Sequence, residues 1–375
     1  MVVRISRSHT HMKKTYSLIR GCALFPSRRK GEASYLLGTL DRVATVTSPF
    51  QRSAITQVAL GKNPFTDIPL EHRAHLEEFI AVLDAHRFLN HRTSELAPPK
   101  RYLDEVASRD RAVIQLRTRS APELAQIEWA ETGGDGGCAT LAARSDFPIE
   151  LSGRSRIITL LYSILLASGV TQVRFSDRFL NQRIGDLDIG FGPLTASDIG
   201  LNYYQRLESH RRGLSLFPIP VDDTQDKHDS DLISPALTIH YGDCDPEVLV
   251  EWAQKKRPHL VIHSPIGDEI AFGPLVLPGK SPCLRCLSLY EIDHWGYTKL
   301  EKIPLNLLED VPIVVAHYLA ALIAQQVLGF IDSKSQAGET GAHHSIGEVS
   351  YLNFQHLTSP QVVAIARHPL CGCDR

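Results

Sequence analysis

Four of the seven cysteines in this 375-residue chain stand as two tight pairs far apart in sequence, Cys283-Leu-Arg-Cys286 and Cys371-Gly-Cys373. Each pair can offer two sulfurs to one tetrahedral ion, and zinc takes four thiolates at about 2.3 Å. The chain must then fold so that residues 371–373 return to residues 283–286. Four protein ligands leave no open coordination position, so such a zinc is structural rather than catalytic. A redox Cys-x-x-Cys would leave Cys371 and Cys373 unexplained, while His368 is a further candidate to replace one thiolate. The other three cysteines, Cys22, Cys138 and Cys244, are isolated and form no disulfide pattern. Metal plus free thiols fits a reducing, cytoplasmic compartment.

With 43% apolar residues the chain can bury substantial cores, and its length fits two or three folding units. A formal net charge of -2 argues against a dedicated nucleic-acid binder, which needs a large positive excess. The bases are uneven: Arg4, Arg7, Lys13, Lys14, Arg20, Arg28, Arg29 and Lys30 precede the first acid, Glu32. This stretch reads as an exposed tail, with translation starting at Met1 or at Met12. Arg20 interrupts the apolar stretch Tyr16–Phe25 before it reaches the length of a secretory segment. The most apolar window, Val311–Ile331, holds His317, Gln325 and Gln326 and follows Glu309-Asp310, a costly set for a lipid-facing span. It is expected to be a buried core helix rather than a membrane crossing, and it can also support homodimerisation.

Four domains are expected: a basic, flexible N-terminus over 1–31, a winged-helix module over 32–95, a helical connector with a Gly-rich linker over 96–146, and an α/β domain over 147–375. In the second, Tyr35–Leu40 and Arg42–Thr47 read as strands, and Leu70–Leu89 as a helix carrying Leu76, Phe79, Ile80, Leu83 and Phe88. In the connector, Pro98-Pro99 marks a break, Lys100–Arg119 a helix with a solvated face, and Gly133–Gly137 a linker. In the fourth, Phe147–Leu151, Ser155–Ser168 and Thr171–Phe175 form a strand, a helix and a strand. Ala236–His240, Pro246–Lys256 and His259–His263 repeat that order, which implies a Rossmann-like parallel sheet covered by helices. Ile270–Leu277 leads to the first cysteine pair, and strands Glu348–Phe354 and Gln361–Ile365 form a hairpin that a zinc would staple to it.

The turn Leu151-Ser-Gly-Arg-Ser-Arg-Ile-Ile158 joins strand to helix where a dinucleotide fold cradles phosphate. Its candidate nucleotide residues are Gly153, Arg156 and, for a ribose hydroxyl, Asp177. Only Gly153 of the three expected glycines is present; Ser155 and Ile158 stand at the other two positions. The site is degenerate, which places binding of ATP and Mg2+ in doubt. Asp243 and Asp245 can hold magnesium or cap the helix that starts near Pro246. The chain carries no His-Glu-x-x-His and no Gly-x-Ser-x-Gly, and His343-His344 lies in a Gly/Ser-containing, exposed loop.

The helix Ile157–Leu166 with Ala167-Ser-Gly-Val170, the strand ending near Asp177, and Gly192-Pro-Leu-Thr-Ala-Ser-Asp-Ile-Gly200 carry a family resemblance. So do Phe272-Gly-Pro-Leu-Val-Leu-Pro-Gly-Lys-Ser-Pro-Cys-Leu-Arg-Cys286 and His368-Pro-Leu-Cys-Gly-Cys373. From about Phe147 to the end the chain resembles the ThiF-like relatives of ubiquitin-activating enzymes found in bacterial peptide-modification (RiPP) clusters. These are known as cyclodehydratase or leader-peptide-binding proteins of thiazole/oxazole-modified microcin (TOMM) pathways. The resemblance implies an N-terminal winged-helix clamp in which a leader peptide adds a strand to a sheet edge. It also implies a YcaO-type cyclodehydratase partner that performs the ATP chemistry. Adenylating members keep a Lys after the Asp-x-Gly turn, whereas here Asp198-Ile-Gly200 is followed by Leu201-Asn202-Tyr203-Tyr204. Loss of that cation removes a stabiliser of the transferring phosphate. The expected function is therefore to bind the leader of a precursor peptide and present it to a modifying enzyme, without adenylating it. The alternatives are an ATP-dependent adenylyltransferase acting on a peptide C-terminus through Arg156, Asp177 and Asp243 or Asp245, and a zinc-stabilised winged-helix DNA-binding regulator.

Overall fold

The structure, a computed structural model, describes residues 16–27, 34–38, 42–66, 68–90, 109–130, 136–217, 234–303, 310–335 and 346–373. Met12 and the bases around it, Pro98-Pro99, residues 100–108 of the connector, Gly133–Asp135 and His343-His344 lie outside the described residues. The chain divides into two units, one drawn from Met1–Ala97 and Arg117–Leu141, the other from Pro98–Leu116 and Ala142–Arg375.

The second unit is built on strands whose successive side chains serve opposite faces. In β9 (His259–Ile262) Leu260 and Ile262 join one core and Val261 another. The same alternation separates Ile270 and Phe272 from Ala271 in β10 (Glu269–Val276), and Leu352 from Val349 and Tyr351 in β11 (Glu348–Asn353). With both faces covered, these strands read as nearly continuous apolar runs. They belong to a seven-stranded mixed sheet that also contains β6 (Ile149–Ser152), β7 (Val173–Phe175), β8 (Leu237–Tyr241) and β12 (Gln361–Ala364), in the order β12-β11-β10-β9-β8-β6-β7. β7, β6, β8 and β9 run parallel, and β10, β11 and β12 continue antiparallel.

One face is covered by α5 (Arg156–Ala167), α6 (Tyr203–Leu214) and α9 (Ile313–Ser335), the other by α7 (Pro246–Gln254) and α8 (Leu284–Trp295). α9 is long and apolar enough to cross a bilayer, but Val315, Ala316, Leu319, Ala320, Ile323 and Val327 are buried in the sheet core, where α9 packs against α5. Arg144, almost fully buried at the end of the short helix α4 (Cys138–Arg144), holds Asp332 of α9 through two bonds of 2.8 and 2.7 Å.

The first unit contains a three-stranded antiparallel sheet, β2 (Ala23–Pro26), β3 (Tyr35–Gly38) and β4 (Val43–Val46), and a two-stranded pairing of β1 (Ser17–Leu18) with β5 (Leu89–Asn90). Helix α1 (Pro49–Ala59) starts on a capping box: the Ser48 hydroxyl accepts the Phe50 N–H while Gln51 Oε1 accepts the Ser48 N–H at 3.2 Å. Its Ala54, Ile55 and Val58 pack with Leu76, Phe79, Ile80 and Leu83 of α2 (Leu70–Ala85). The helix expected to reach Leu89 ends at Ala85, because Arg87 adopts φ 60° and breaks the helical bonding, and Leu89 enters a strand. At the N-terminus the described residues start at Tyr16. Residues 16–27 contribute two strands, and Arg20, counted with the basic tail, donates its backbone N–H at 2.7 Å and its guanidinium to the buried Glu128. Glu128 lies on α3 (Arg109–Ala130), a helix that runs through Pro122 and eleven residues past its expected end at Arg119.

Candidate nucleotide turn and tetracysteine centre

The parallel strands end on one edge of the sheet, where α/β folds place ligands. The first turn there is Ser152-Gly153-Arg154-Ser155. Gly153 adopts φ 91°, and a Cβ on it would lie 2.4 Å from the Tyr241 carbonyl oxygen at the end of β8. The glycine is thus required by the chain's own backbone. Ser155 caps α5, its hydroxyl accepting the Ile158 N–H at 3.1 Å.

A helix N-terminus with free N–H groups attracts an anion. Here the anion is internal. Asp310 Oδ2 accepts the Arg156 N–H at 2.8 Å, and Oδ1 accepts the Val311 N–H at 2.7 Å. Burial raises the Asp310 carboxyl above its ordinary range, although both N–H groups work against that shift.

The two arginines are also engaged. Arg156 donates to the carbonyls of Leu187 and Val311 at 3.1 and 3.0 Å. Arg154 forms a two-point pair with Asp188, whose carboxylate is buried and also accepts the Gly185 N–H at 2.7 Å. Asp177 is exposed, in the 3-10 turn Asp177–Phe179 after β7. Because Leu151 registers with Phe175, Gly153 and Asp177 follow neighbouring strand ends. These residues do not form an open phosphate cradle: the glycine is filled by backbone, the helix N-terminus by Asp310, and Arg154 and Arg156 by oxygens of the same chain.

At the end of β8, Asp245 occupies the N-cap position of α7 but its carboxylate makes no capping bond. The Asp243 carboxylate pairs with Lys302. Ser152 Oγ and His240 Nδ1 lie 2.9 Å apart, and the Asp243 carbonyl approaches His240 Nε2 at 3.3 Å. Burial holds His240 and His263 below the ordinary histidine value, and lowers His259 to about 4. In all three, burial disfavours the charged form.

The cysteine pairs meet. β10 leads through Pro278–Pro282 to Cys283, the N-cap of α8, and Cys286 lies buried in the first turn of that helix. β11 pairs with β10, and the hairpin β11–β12 turns the chain back so that Cys371 and Cys373 arrive beside α8. The four Sγ atoms lie within 4.8 Å of one another, with Cys283–Cys371 at 3.3 Å, Cys286–Cys373 at 3.5 Å and Cys283–Cys286 at 3.9 Å. Sulfurs at 2.3 Å from one tetrahedral centre stand about 3.8 Å apart, so these spacings fit a single ion. Gly372, at φ 72°, makes the left-handed bend that points both flanking sulfurs the same way.

Burial, followed by the neighbouring sulfurs, pushes Cys371 up, and Cys373 up to about 11. For Cys286, burial is outweighed by the N–H groups of His368 and Cys283 and by neighbouring thiols, which hold it below its ordinary value. His368 takes no ligand position: Nδ1 accepts the Leu370 N–H at 3.2 Å and Nε2 donates to Asp293 at 2.9 Å. Among the described residues, the four cysteines are the group that can hold a metal ion, and the all-thiolate set is compatible with zinc.

Solved structures share this architecture across nearly the whole chain. E. coli MccB crystallised with AMPCPP and MccA aligns at 15% identity, covering 96% of this chain and 100% of that chain, with a TM-score of 0.61. The fold is shared with MccB. The microcin C7 biosynthetic enzyme MccB in complex with N-formylated MccA aligns at 16% identity, covering 96% and 99%, with a TM-score of 0.60. PaaA aligns at 14% identity, covering 92% and 99%, with a TM-score of 0.58. No protein-family profile and no curated protein matches the sequence. At these identities the likeness is one of fold, a mixed α/β architecture consistent with the Rossmann-like ThiF resemblance. E. coli MccB has also been crystallised with ATP. The fold therefore gives no support to the doubt about ATP raised from sequence, and any such argument rests on the local contacts of the α5 turn.

Two residues of this edge escaped the sequence reading. Asp310 was visible only as a charge before an apolar helix, 154 residues from Arg156. Lys302 carried no motif at all, although it meets Asp243 across 59 residues.

Proposed function

We infer that this chain captures a ribosomally made precursor peptide and presents it to a modifying enzyme, without adenylating it. Support for the peptide comes from the fold shared with MccB, a microcin C7 biosynthetic enzyme crystallised with MccA, together with the ThiF-like motifs of residues 147–375. The leader would bind the N-terminal unit, read as a winged-helix clamp, as an added strand. The ATP chemistry would belong to a YcaO-type partner, and a homodimer is part of this reading. The four cysteines would hold a structural zinc that locks the C-terminal hairpin onto α8.

The observation that carries the non-adenylating part is the Asp310 carboxylate on the Arg156 N–H. A phosphate approaching this helix start would meet a negative charge already bonded there. Fluorescence anisotropy of a labelled leader peptide from the same gene cluster tests the peptide role. Saturable binding is expected, and its absence both with and without the YcaO partner overturns the reading.

A second reading, an adenylyltransferase acting on a peptide C-terminus, is favoured by the Asp243–Lys302 pair, which supplies a cation and a metal-binding carboxylate at the end of β8. The crystallisation of MccB with ATP and with AMPCPP supports it. Peptide-dependent exchange of pyrophosphate into ATP separates the two, since the presentation role predicts none.

A further inference from the structure

We propose that His368 and Asp293 form a positioning pair for the tetracysteine metal centre, setting its affinity without being ligands. The proposal rests on the reading of those cysteines as a metal site and concerns what holds the two halves of the site in register. Cys286 and Asp293 lie seven residues apart on α8, two helical turns along one side. His368 bridges both positions. Its backbone N–H points at Cys286 Sγ from 3.4 Å, and its ring Nε2 meets Asp293 Oδ2 at 2.9 Å.

The same residue shapes the loop that carries the other two sulfurs. His368 Nδ1 accepts the Leu370 N–H at 3.2 Å, and the His368 carbonyl accepts the Cys371 N–H at 3.0 Å. With Nδ1 accepting, the proton of the neutral ring sits on Nε2 and is donated to Asp293. The side chain is mostly buried, 16% exposed, which limits its alternatives. One residue thus fixes its own backbone N–H toward a sulfur and the turn that aims Cys371, and Asp293 locks it to the helix bearing Cys283 and Cys286. Neighbouring Arg367 donates to the Gly279 carbonyl at 2.7 Å, tying the same strand exit to the loop before Cys283.

An N–H directed at a thiolate stabilises its negative charge and so favours the metal-bound form. Partners of this kind, beyond the ligands themselves, are each worth about 10–100-fold in metal affinity. The loop from 368 to 373 makes no strand pairing of its own, so the His368 ring adds to the sulfur contacts and the Arg367 bond in opposing its freedom.

The test measures Zn2+ affinity of the full-length protein by competition with a chromophoric chelator, for wild type, His368→Ala, Asp293→Asn, Asp293→Ala and the double alanine variant. Expected is one zinc per wild-type chain and a dissociation constant raised about 10–100-fold by His368→Ala. A smaller rise is expected for the Asp293 variants, and the double variant should be no weaker than His368→Ala alone. Co2+ substitution should keep the absorption bands of a tetrahedral four-thiolate site in every variant, because no ligand has been removed. Asp293 is 60% exposed, so its variants remain informative if His368→Ala does not fold. Affinities of the Asp293 variants within twofold of wild type overturn the pair, as does independent addition of the two effects. A wild-type chain that holds no zinc overturns the metal centre and the pair together.

Discussion

The carboxylate of Asp310 accepts the backbone N–H of Arg156 at 2.8 Å, at the very start of α5. In a nucleotide-binding unit of this topology, that N–H and its neighbours face phosphate. Removing the carboxylate should free the Arg156 N–H. In Asp310→Ala, calorimetric titration with ATP is expected to show binding at least about tenfold tighter than in the wild-type chain, whereas Asp310→Asn, which keeps an acceptor oxygen, changes less. Equal ATP affinity in wild type and Asp310→Ala would show that this carboxylate does not guard the seat.

Gly153 tests the backbone side of the same turn. An alanine here must adopt φ 91° and press its Cβ within 2.4 Å of the Tyr241 carbonyl, with no flexible side chain to give way. Gly153→Ala should cost about 3 kcal/mol of stability, read from urea unfolding. A loss below about 1 kcal/mol would mean that the β6 and β8 ends separate easily.

Metal removal has a defined signature. Elemental analysis should find one zinc per chain and none in Cys283→Ala or Cys371→Ala. The midpoint of thermal unfolding should fall by about 10 °C in each, because metal binding energy is folding energy for a loop with little core of its own. Retention of one zinc by both variants refutes the four-thiolate assignment.

Acid sensitivity follows from His259. Buried against Trp252, with Nδ1 on the Arg257 carbonyl at 2.9 Å, its value is lowered from 6.5 to about 4. The unfolded chain takes up that proton at higher pH than the folded one. The contribution is therefore complete above about pH 6.5 and is lost as pH falls toward about 4, on the order of 3 kcal/mol for this group. His240 and His263 are lowered by burial as well and act in the same direction. Urea unfolding from pH 7 to pH 4.5 should show this decline, and His259→Gln should flatten it. An unchanged slope in that variant removes His259 as its source.

Much of the α/β unit was legible from local pattern. Strands β6, β8, β9 and β10 and helices α5 and α7 lie within two residues of their expected spans, because apolar runs of strand length alternate with amphipathic helices between clear turns. The first unit was less so. Leu89 has the spacing to continue α2, yet Arg87 turns left-handed and sends it into a strand, a choice made by pairing with Ser17–Leu18 rather than by propensity. Arg20 reads as tail because nothing near it in sequence announces Glu128, 108 residues away.

The sequence by itself determined the chemistry of the cysteine site, since thiol identity and spacing restrict the ions it can take, and it determined the alternation of strands and helices behind the parallel strands β6 to β9. It implied a parallel sheet, and the antiparallel continuation of that sheet through β10, β11 and β12 came only from the structure. Only the tertiary structure decided what the α5 turn does with its polar groups. Gly153 reads equally well as a phosphate glycine or as a packing glycine, and Arg154 and Arg156 as phosphate ligands or as structural donors. Those alternatives differ in which distant atoms arrive: Tyr241, Asp188, Leu187 and Asp310 come from other elements, brought in by burial of a shared core that no local pattern encodes.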